Sequence, residues 1–299
     1  MKGTYLIMMD FRIDTFLTVC RLMNFTKAAE VLHITQPAVS QHIHYLEDFY
    51  CAKLFVYEGK KMNLTNAGNA LYQAAVTMKH DDLYLKESIL DLNQRKTRLL
   101  FGATLTIGEF VMPAHLKIYL DLYPDTEVRM IIGNTSELLE KLRLGEIDFA
   151  IVEGNFAKDQ YDYLMYSHEK YIPVCSKDYC FVKKPKNLKD LLLERIIVRE
   201  NGSGTRKIFE ENLETRNLVI GDFSYVVEIG GMNAIKSMVI AGCGITFLYE
   251  AAVRNELESG FLRRIILNDF QVSHDFSFIW NKGSVFSENY NRIYEILKA

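Results

Sequence analysis

Residues 25–46 have the sequence FTKAAEVLHITQPAVSQHIHYL, which predicts two short helices joined by a tight turn. Apolar residues recur in each half at spacings of four and three, which forms one apolar stripe per helix. Thr35 is placed to cap the second helix, and Pro37 falls in its first turn, where a missing N–H costs little. The pattern is typical of a helix-turn-helix. The stripe residues are Phe25, Ala29 and Leu32, then Val39, Ile43 and Leu46.

The polar side chains left on the second helix indicate a nucleic-acid partner. They carry amide, hydroxyl and imidazole groups of moderate length, the types that contact base edges in a DNA major groove. The competing interpretation is an ordinary helical hairpin with a polar face. The residues of this hairpin expected to contact DNA are Thr26, Thr35, Gln36, Pro37, Ser40, Gln41 and His44.

Further motifs follow in order along residues 9–68, and together they resemble the N-terminal domain of LysR-type transcriptional regulators. The resemblance is specific there and continues more loosely to the C-terminus. It implies double-stranded DNA with an interrupted inverted repeat as operator, and RNA polymerase is a further candidate partner. The motifs are Met9-Asp10-Phe11-Arg12, Phe16-Leu17-Thr18-Val19, Phe25-Thr26-Lys27-Ala28-Ala29, Thr35-Gln36-Pro37-Ala38-Val39-Ser40, Leu46-Glu47, Leu54-Phe55 and Leu64-Thr65-Asn66-Ala67-Gly68.

Residues 54–65 look like the wing of a winged helix. The family usually has arginine at the two positions occupied here by Tyr57 and Lys60, and both are expected to contact the DNA backbone. The glycine that usually follows the recognition helix is Cys51 in this chain. If the left-handed turn of the family is kept, this non-glycine residue is strained.

The charge distribution has the sign that DNA binding requires, but the excess is small. The net charge is −3, with 12 Lys and Arg against 10 Asp and Glu in residues 1–98 and 23 against 28 in the remainder. A modestly basic head implies few phosphate contacts and a shallow dependence of affinity on salt.

The rest of the composition argues against several classes of protein. No apolar run approaches the ~20 residues that span a bilayer, and residues 1–9 are too weakly flanked for a signal peptide, so we expect a cytoplasmic protein without a membrane partner. The five scattered cysteines and seven histidines predict no disulfide, metal site or cofactor. The sequence has no catalytic motif such as G-x-S-x-G or a phosphate loop, which argues against an enzyme.

Residues 67–94 are expected to form one long linker helix with a heptad repeat. The repeat predicts an interchain seam, hence a homodimer or homotetramer, and the alternative is an amphipathic helix packed on its own domain. Asp82 is a charged member of the seam that Lys79 or Lys86 can neutralise. The apolar seam residues are Leu71, Ala75, Met78, Leu85, Ile89 and Leu92.

Strands and helices alternate through residues 95–299, which predicts parallel sheets. The resemblance implies two α/β lobes of periplasmic-binding-protein type, crossed twice by the chain, with a cleft between them. Lobe I is expected at about 99–165 and 278–299, and lobe II at about 166–277. The expected fold is therefore α/β, with a helix-rich winged helix-turn-helix at 1–66, the linker helix and this effector-binding domain.

Three loops are expected to meet at the cleft, because ligands bind beyond the carboxyl ends of parallel strands, at helix N-termini. Their hydroxyls and backbone N–H groups favour an anion, with Arg199 or Arg206 opposing its charge. Ordinary helix capping is the alternative, and Glu153 weakens the case for an anion. The expected effector-binding residues are Thr104, Thr106, Asn134, Thr135, Ser136, Glu153, Arg199, Ser203 and Thr205.

Residues 198–206 look most like the sulfur-assimilation branch of the family, the regulators of cysteine synthesis. That resemblance implies a small-molecule effector such as sulfate or another oxyanion, or a small carboxylate. The leading hypothesis is a ligand-responsive, sequence-specific transcriptional regulator. The alternative is a repressor-only or architectural DNA binder whose sensing domain is vestigial.

Overall fold

The N-terminal head of this computed structural model is a winged helix-turn-helix, and the structure describes residues 10–94, 97–153 and 156–298. Three helices enclose a core that includes Phe16, Val39 and Leu46, so the predicted apolar stripes do face inward. A two-stranded antiparallel wing follows. The elements are α1 (Phe11–Leu22), α2 (Phe25–Leu32), α3 (Gln36–Phe49), β1 (Phe55–Glu58) and β2 (Lys61–Leu64).

The turn after α3 is left-handed, as the resemblance implied. Cys51 occupies it with φ +50° and an exposed side chain. An L-residue in this region brings its Cβ close to backbone oxygen, whereas glycine has no Cβ to clash. The wing turn is also left-handed, with Gly59 at φ +65°.

Helix α4 (Asn66–Gln94) runs for 29 residues, about 43 Å at 1.5 Å per residue. Two predicted seam residues do not belong to an interchain surface, because Leu71 and Ala75 are buried in the core of their own head. Met78 and Ile89 do expose apolar surface, at 45% and 50%. Leu85 is half-buried, and the side chain of Leu92 lies outside the described residues. Of the predicted seam residues with described side chains, those that expose apolar surface therefore begin at Met78.

The middle of α4 docks on the effector domain of the same chain. Asp81 accepts hydrogen bonds from Ser284 Oγ at 2.6 Å and from the Val285 N–H at 2.9 Å. The buried ring of His80 has Nε2 3.1 Å from the carbonyl oxygen of Ile147. The interpretation of a helix packed on its own domain thus holds for this segment.

The effector domain has two α/β lobes that share a continuous sheet. Strands β3, β4 and β5 belong to lobe I with α5, α6 and α10, and β7 to β10 belong to lobe II with α7 to α9. The elements are β3 (Thr97–Thr104), α5 (Met112–Leu122), β4 (Thr126–Gly133), α6 (Thr135–Arg143), β5 (Phe149–Glu153), β6 (Tyr161–Ser176), β7 (Arg195–Val198), α7 (Gly204–Glu214), β8 (Tyr225–Glu228), α8 (Met232–Ile240), β9 (Thr246–Tyr249), α9 (Glu250–Glu258), β10 (Leu262–Arg264), β11 (Val272–Asn281) and α10 (Ser287–Lys298).

Parallel pairing is present but is not the whole sheet, which corrects the expectation from strand–helix alternation. Strand β3 pairs in parallel with β4 and β5, and β7 with β8. The long strands β6 and β11 are antiparallel, and they are the two crossings between the lobes. The end of β6 pairs with β9 in lobe II, while the end of β11 pairs with β5 in lobe I.

A π-helical segment, Ile107–Val111, lies between β3 and α5, so the helical stretch that leads into α5 begins with wider turns. Among the described helices, none combines the length and apolar character needed to cross a membrane.

Replacing Cys51 with glycine is expected to stabilise the head by about 1 kcal/mol, because it relieves the left-handed strain. The measurement is the urea dependence of helical circular dichroism. Gly59→Ala is the matched control. It is expected to lower the free energy of unfolding, since it introduces a Cβ at another left-handed position. Equal stability of the Cys51→Gly variant and the parent chain would contradict a strained turn.

Candidate DNA interface and effector cleft

A groove of about 580 Å³ lies between the start of α2, the exposed side of α3 and the wing. Three separate segments of the chain supply its polar lining, and each segment had been singled out in the sequence. The tight turn before α3 and the wing hairpin bring them together. The predicted residues in the groove are Thr26, Gln36, Ser40, His44, Tyr57 and Lys60.

Gln36 and Ser40 form a hydrogen-bonded pair one turn apart on α3, with Gln36 Nε2 donating to Ser40 Oγ at 3.0 Å. The bond fixes the Gln36 side chain along the groove and leaves its amide oxygen free to accept from a base. Because the hydroxyl of Ser40 can donate as well as accept, the pair offers both functions to a base edge.

Three other predicted residues lie on α3 or directly before it but do not line this groove. Thr35 Oγ accepts from the Ala38 N–H at 3.3 Å and so caps the helix. Pro37 lies in the first turn, and both it and Gln41 are exposed. The hydroxyl of Thr35 has a structural role that the sequence also predicted.

His42 lies on α3 but does not line the groove, and its ring packs against α1. Its Nδ1 lies 2.9 Å from Thr15 Oγ, and its ring contacts Phe11 edge-on. Burial lowers the pKa of His42, with a further lowering from the charge of Arg12. The imidazole therefore joins α3 to α1.

Glu47 is a positioning residue that the sequence analysis did not identify. Only 7% exposed, it accepts from Lys53 Nζ at 2.6 Å and from the Leu54 N–H at 3.0 Å. Burial raises its pKa, but the hydrogen bonds outweigh burial and the net shift is downward. The carboxylate fixes the wing to the recognition helix. The signal was a carboxylate beside the apolar stripe, directly after Leu46.

The three loops predicted to converge do meet in a cleft of about 440 Å³ between the lobes. Ser136 lines a smaller adjoining cavity of about 130 Å³, which Glu153 also lines. Thr106 and Thr205 are buried behind the lining. The lining also includes residues outside the predicted set, among them Glu137, Glu200 and Gly230. The predicted residues that line the main cleft are Thr104, Asn134, Thr135, Glu153, Arg199 and Ser203.

Three threonines converge on Glu153 at the end of β5. Thr104 Oγ accepts from its N–H at 3.3 Å, and Thr135 Oγ donates to its carbonyl oxygen at 3.0 Å. Thr205 Oγ donates to Glu153 Oε1 at 3.2 Å. Since Thr205 belongs to lobe II and Glu153 to lobe I, this last bond joins the two lobes across the cleft.

The Glu153 carboxyl is 3% exposed, and its Oε2 has no hydrogen-bond partner in the described parts of the chain. Burial raises the pKa of Glu153 to about 7, although the hydroxyls of Thr106 and Thr205 and the charge of Arg199 oppose the shift. The group therefore titrates in the neutral range.

Neither predicted arginine presents an uncompensated charge to the cleft. Arg199, 7% exposed, donates Nε and Nη2 to the two carboxylate oxygens of Glu200 at 2.7 and 2.6 Å. Arg206 bonds Glu210 at 2.8 Å and Glu228 at 2.5 Å. Both guanidinium groups are therefore already paired with carboxylates of the same chain.

The two helix N-termini at the cleft differ. Helix α6 has a capping box, in which Asn134 Oδ1 accepts from the Glu137 N–H at 2.9 Å and the Asn134 N–H donates to Glu137 Oε2 at 3.1 Å. Ser203 occupies the cap position of α7 without a side-chain hydrogen bond to the helix. Ordinary capping accounts for α6, whereas the first N–H groups of α7 remain available to a ligand.

Comparison with known proteins matches both halves of the chain. Residues 12–69 match the bacterial regulatory helix-turn-helix protein, lysR family, and residues 92–299 match the LysR substrate binding domain. The transcriptional regulator CysL of Bacillus subtilis is 29% identical over 269 residues, which cover 89% of each chain. The transcriptional activator CmpR of Synechocystis is 30% identical over 277 residues, covering 92% of this chain and 90% of CmpR. ArgP of Mycobacterium tuberculosis shares the fold, with a TM-score of 0.64 at 18% identity and 97% coverage of each chain.

The raised pKa of Glu153 predicts a pH dependence of stability. The folded chain prefers the protonated carboxyl, so its stability falls as pH rises from 4.5 toward about 7. In the ligand-free protein at about pH 8, Glu153→Gln should be more stable than the parent, by on the order of 3 kcal/mol at most in the free energy of unfolding. It should therefore unfold at a higher temperature. The difference in stability should shrink toward zero near roughly pH 5, where the carboxyl of the parent is largely protonated in the folded chain. The same pH profile in both proteins would contradict the prediction.

Proposed function

The chain belongs to the LysR family of bacterial transcriptional regulators, and from this premise we propose which residues contact DNA and what the cleft binds. Members of the family bind DNA and effector ligands and act as oligomers. For this chain we assign base contacts to Gln36 and Ser40, with Gln41 and His44 beside them. Backbone contacts are assigned to Tyr57 and Lys60 of the wing, with Thr26, Thr35 and Pro37 at the start of each helix.

The observation that supports this assignment is the exposure of the groove. Gln36, His44, Tyr57 and Lys60 are all exposed, even though the head and the effector domain share helix α4. A recognition surface that is open in the free chain can enter a major groove without rearrangement of the head. Two heads joined through the exposed apolar part of α4 fit an interrupted inverted repeat.

The assignment separates two kinds of variant. Gln36→Ala and Ser40→Ala should relax sequence preference, by about 1–3 kcal/mol per lost base contact. Lys60→Ala should weaken binding about equally on all sequences and make the salt dependence shallower. The measurement is binding to a randomised DNA library at two salt concentrations, with Lys117→Ala in α5 as the control. A changed base preference in Lys60→Ala would contradict the sorting.

We further propose that the cleft binds a small anionic metabolite, an oxyanion such as sulfate or a small carboxylate. The support is the uncapped N-terminus of α7 together with the hydroxyls of Thr104, Thr135 and Ser203. We test sulfur metabolites first because residues 198–206 resemble the sulfur-assimilation branch and CysL is among the relatives.

An effector acts by stabilising one arrangement of the lobes through its differential affinity. Lobe I holds α4 through Asp81 and His80, so a change between the lobes reaches the helix that carries the heads. The same effector should therefore alter the spacing or angle of paired heads on DNA.

Calorimetric titration of the full-length chain with sulfate, thiosulfate, molybdate and O-acetyl-L-serine tests the effector class. Heat from at least one of them is expected, accompanied by a changed footprint on operator DNA. No heat from any of the four compounds would contradict the proposed class. Unchanged footprints across the same set would favour the repressor-only or architectural alternative.

A further inference from the structure

The cleft contains a buried carboxylate oxygen that no donor of the described residues reaches at hydrogen-bonding distance, although the hydroxyl of Thr106, also unpaired, lies near the same carboxyl. Glu153 Oε1 accepts from Thr205, but Oε2 has no donor within the described ranges, and the side chain is 97% buried. An unpaired buried carboxylate oxygen costs free energy that a donor from a ligand can recover. The unused oxygen therefore indicates that the ligand carries a donor.

The charges around the cleft indicate that this donor is positive. The lining includes the carboxyl groups of Glu137, Glu153 and Glu200 against the single guanidinium of Arg199, which is paired with Glu200. A ligand with only negative groups would meet an excess of negative charge beside Glu153. An ammonium group would compensate it and restore the ionised form of the carboxyl.

A site for a negative group lies directly beside Glu153. Helix α7 has 11 residues, and no side chain caps its first turn in the described structure. A Cβ placed on Gly204, its first residue, would lie 3.7 Å from Glu153 Oε1. The carboxyl group and the free N–H groups of α7 are thus close enough to hold opposite charges on one small molecule.

We propose that, of the two ligand types named above, the cleft binds a small carboxylate that also carries an ammonium group, an α-amino acid or a similar small zwitterion; this rests on the proposed effector function of the cleft. The ammonium group donates to Glu153 Oε2, and the carboxylate accepts from the first N–H groups of α7. Because Glu153 belongs to lobe I and α7 to lobe II, one compact ligand contacts both lobes at once and couples its binding to their arrangement.

The test is calorimetric titration of the full-length chain at neutral to slightly alkaline pH with single L-amino acids, including O-acetyl-L-serine. Each compound that binds is repeated as its N-acetyl derivative, which keeps the carboxylate and loses the ammonium charge. The derivative should bind about tenfold or more weakly, because a charged hydrogen bond is lost. Glu153→Gln should weaken binding of the amino acid by a similar factor.

Glu127→Gln is the matched control, since it removes one carboxylate from an exposed position on β4 of the same lobe. It should change affinity by less than about fivefold. Thermal unfolding of Glu153→Gln confirms that the variant is folded before its affinity is compared.

Three results would overturn the assignment. An amino acid that binds Glu153→Gln and the parent chain equally well shows that Oε2 is not its partner. Binding of sulfate, thiosulfate or molybdate, with no amino acid bound, leaves the effector cleft standing and removes the ammonium site. Absence of binding by every amino acid and every oxyanion removes both.

Discussion

The effector domain depends on one constraint, a carboxyl group buried where its two lobes meet. Glu153 ends β5, and threonines from three loops bond its backbone and side chain. The contact with Thr205 joins lobe I to lobe II, yet the second carboxyl oxygen has no partner among the residues described. Burial raises the pKa of this carboxyl to about 7. A ligand that donates to this oxygen is expected to favour the ionised carboxyl and, because the carboxyl lies where the lobes meet, to favour one arrangement of the two lobes.

Helix α4 connects this balance to the DNA-binding head. Its first turns are part of the head core through Leu71 and Ala75, and its middle is tied to lobe I through Asp81. The first turns and the middle of α4 are thus fixed to different domains of the same chain, and the helix itself is continuous. We therefore expect a movement of lobe I to change the direction of this helix and with it the position of the head.

Local patterns in the sequence predicted much of the molecule. The spacing of apolar residues in α2 and α3 depends on neighbours within a few residues, and it predicted the helix-turn-helix. The three cleft loops were predicted because the carboxyl ends of parallel strands share an edge. The groups that compensate charge were harder to predict. The pairing of Arg206 with Glu228 joins residues that are distant in sequence, and the pairing of Arg199 with Glu200 depends on side-chain direction.

The long crossing strands show the same limit. Strand β6 alternates largely between half-buried and exposed residues before it enters lobe II. Its pairing with β11 involves residues about a hundred positions apart, so the local pattern does not indicate the partner. In α4, Leu71 and Ala75 satisfy both a heptad seam and a head core, so periodicity alone could not separate the two.

The most direct measurement is the titration of the Glu153 carboxyl carbon by NMR in the ligand-free full-length chain. Glutamate labelled with ¹³C at the carboxyl position supplies the signal, and its absence in Glu153→Gln assigns it. The structure predicts a midpoint near the pKa of about 7, because the buried group has one unpaired oxygen. A midpoint near the ordinary glutamate value of 4.5 would show that the carboxyl is already solvated or paired, and would contradict the account.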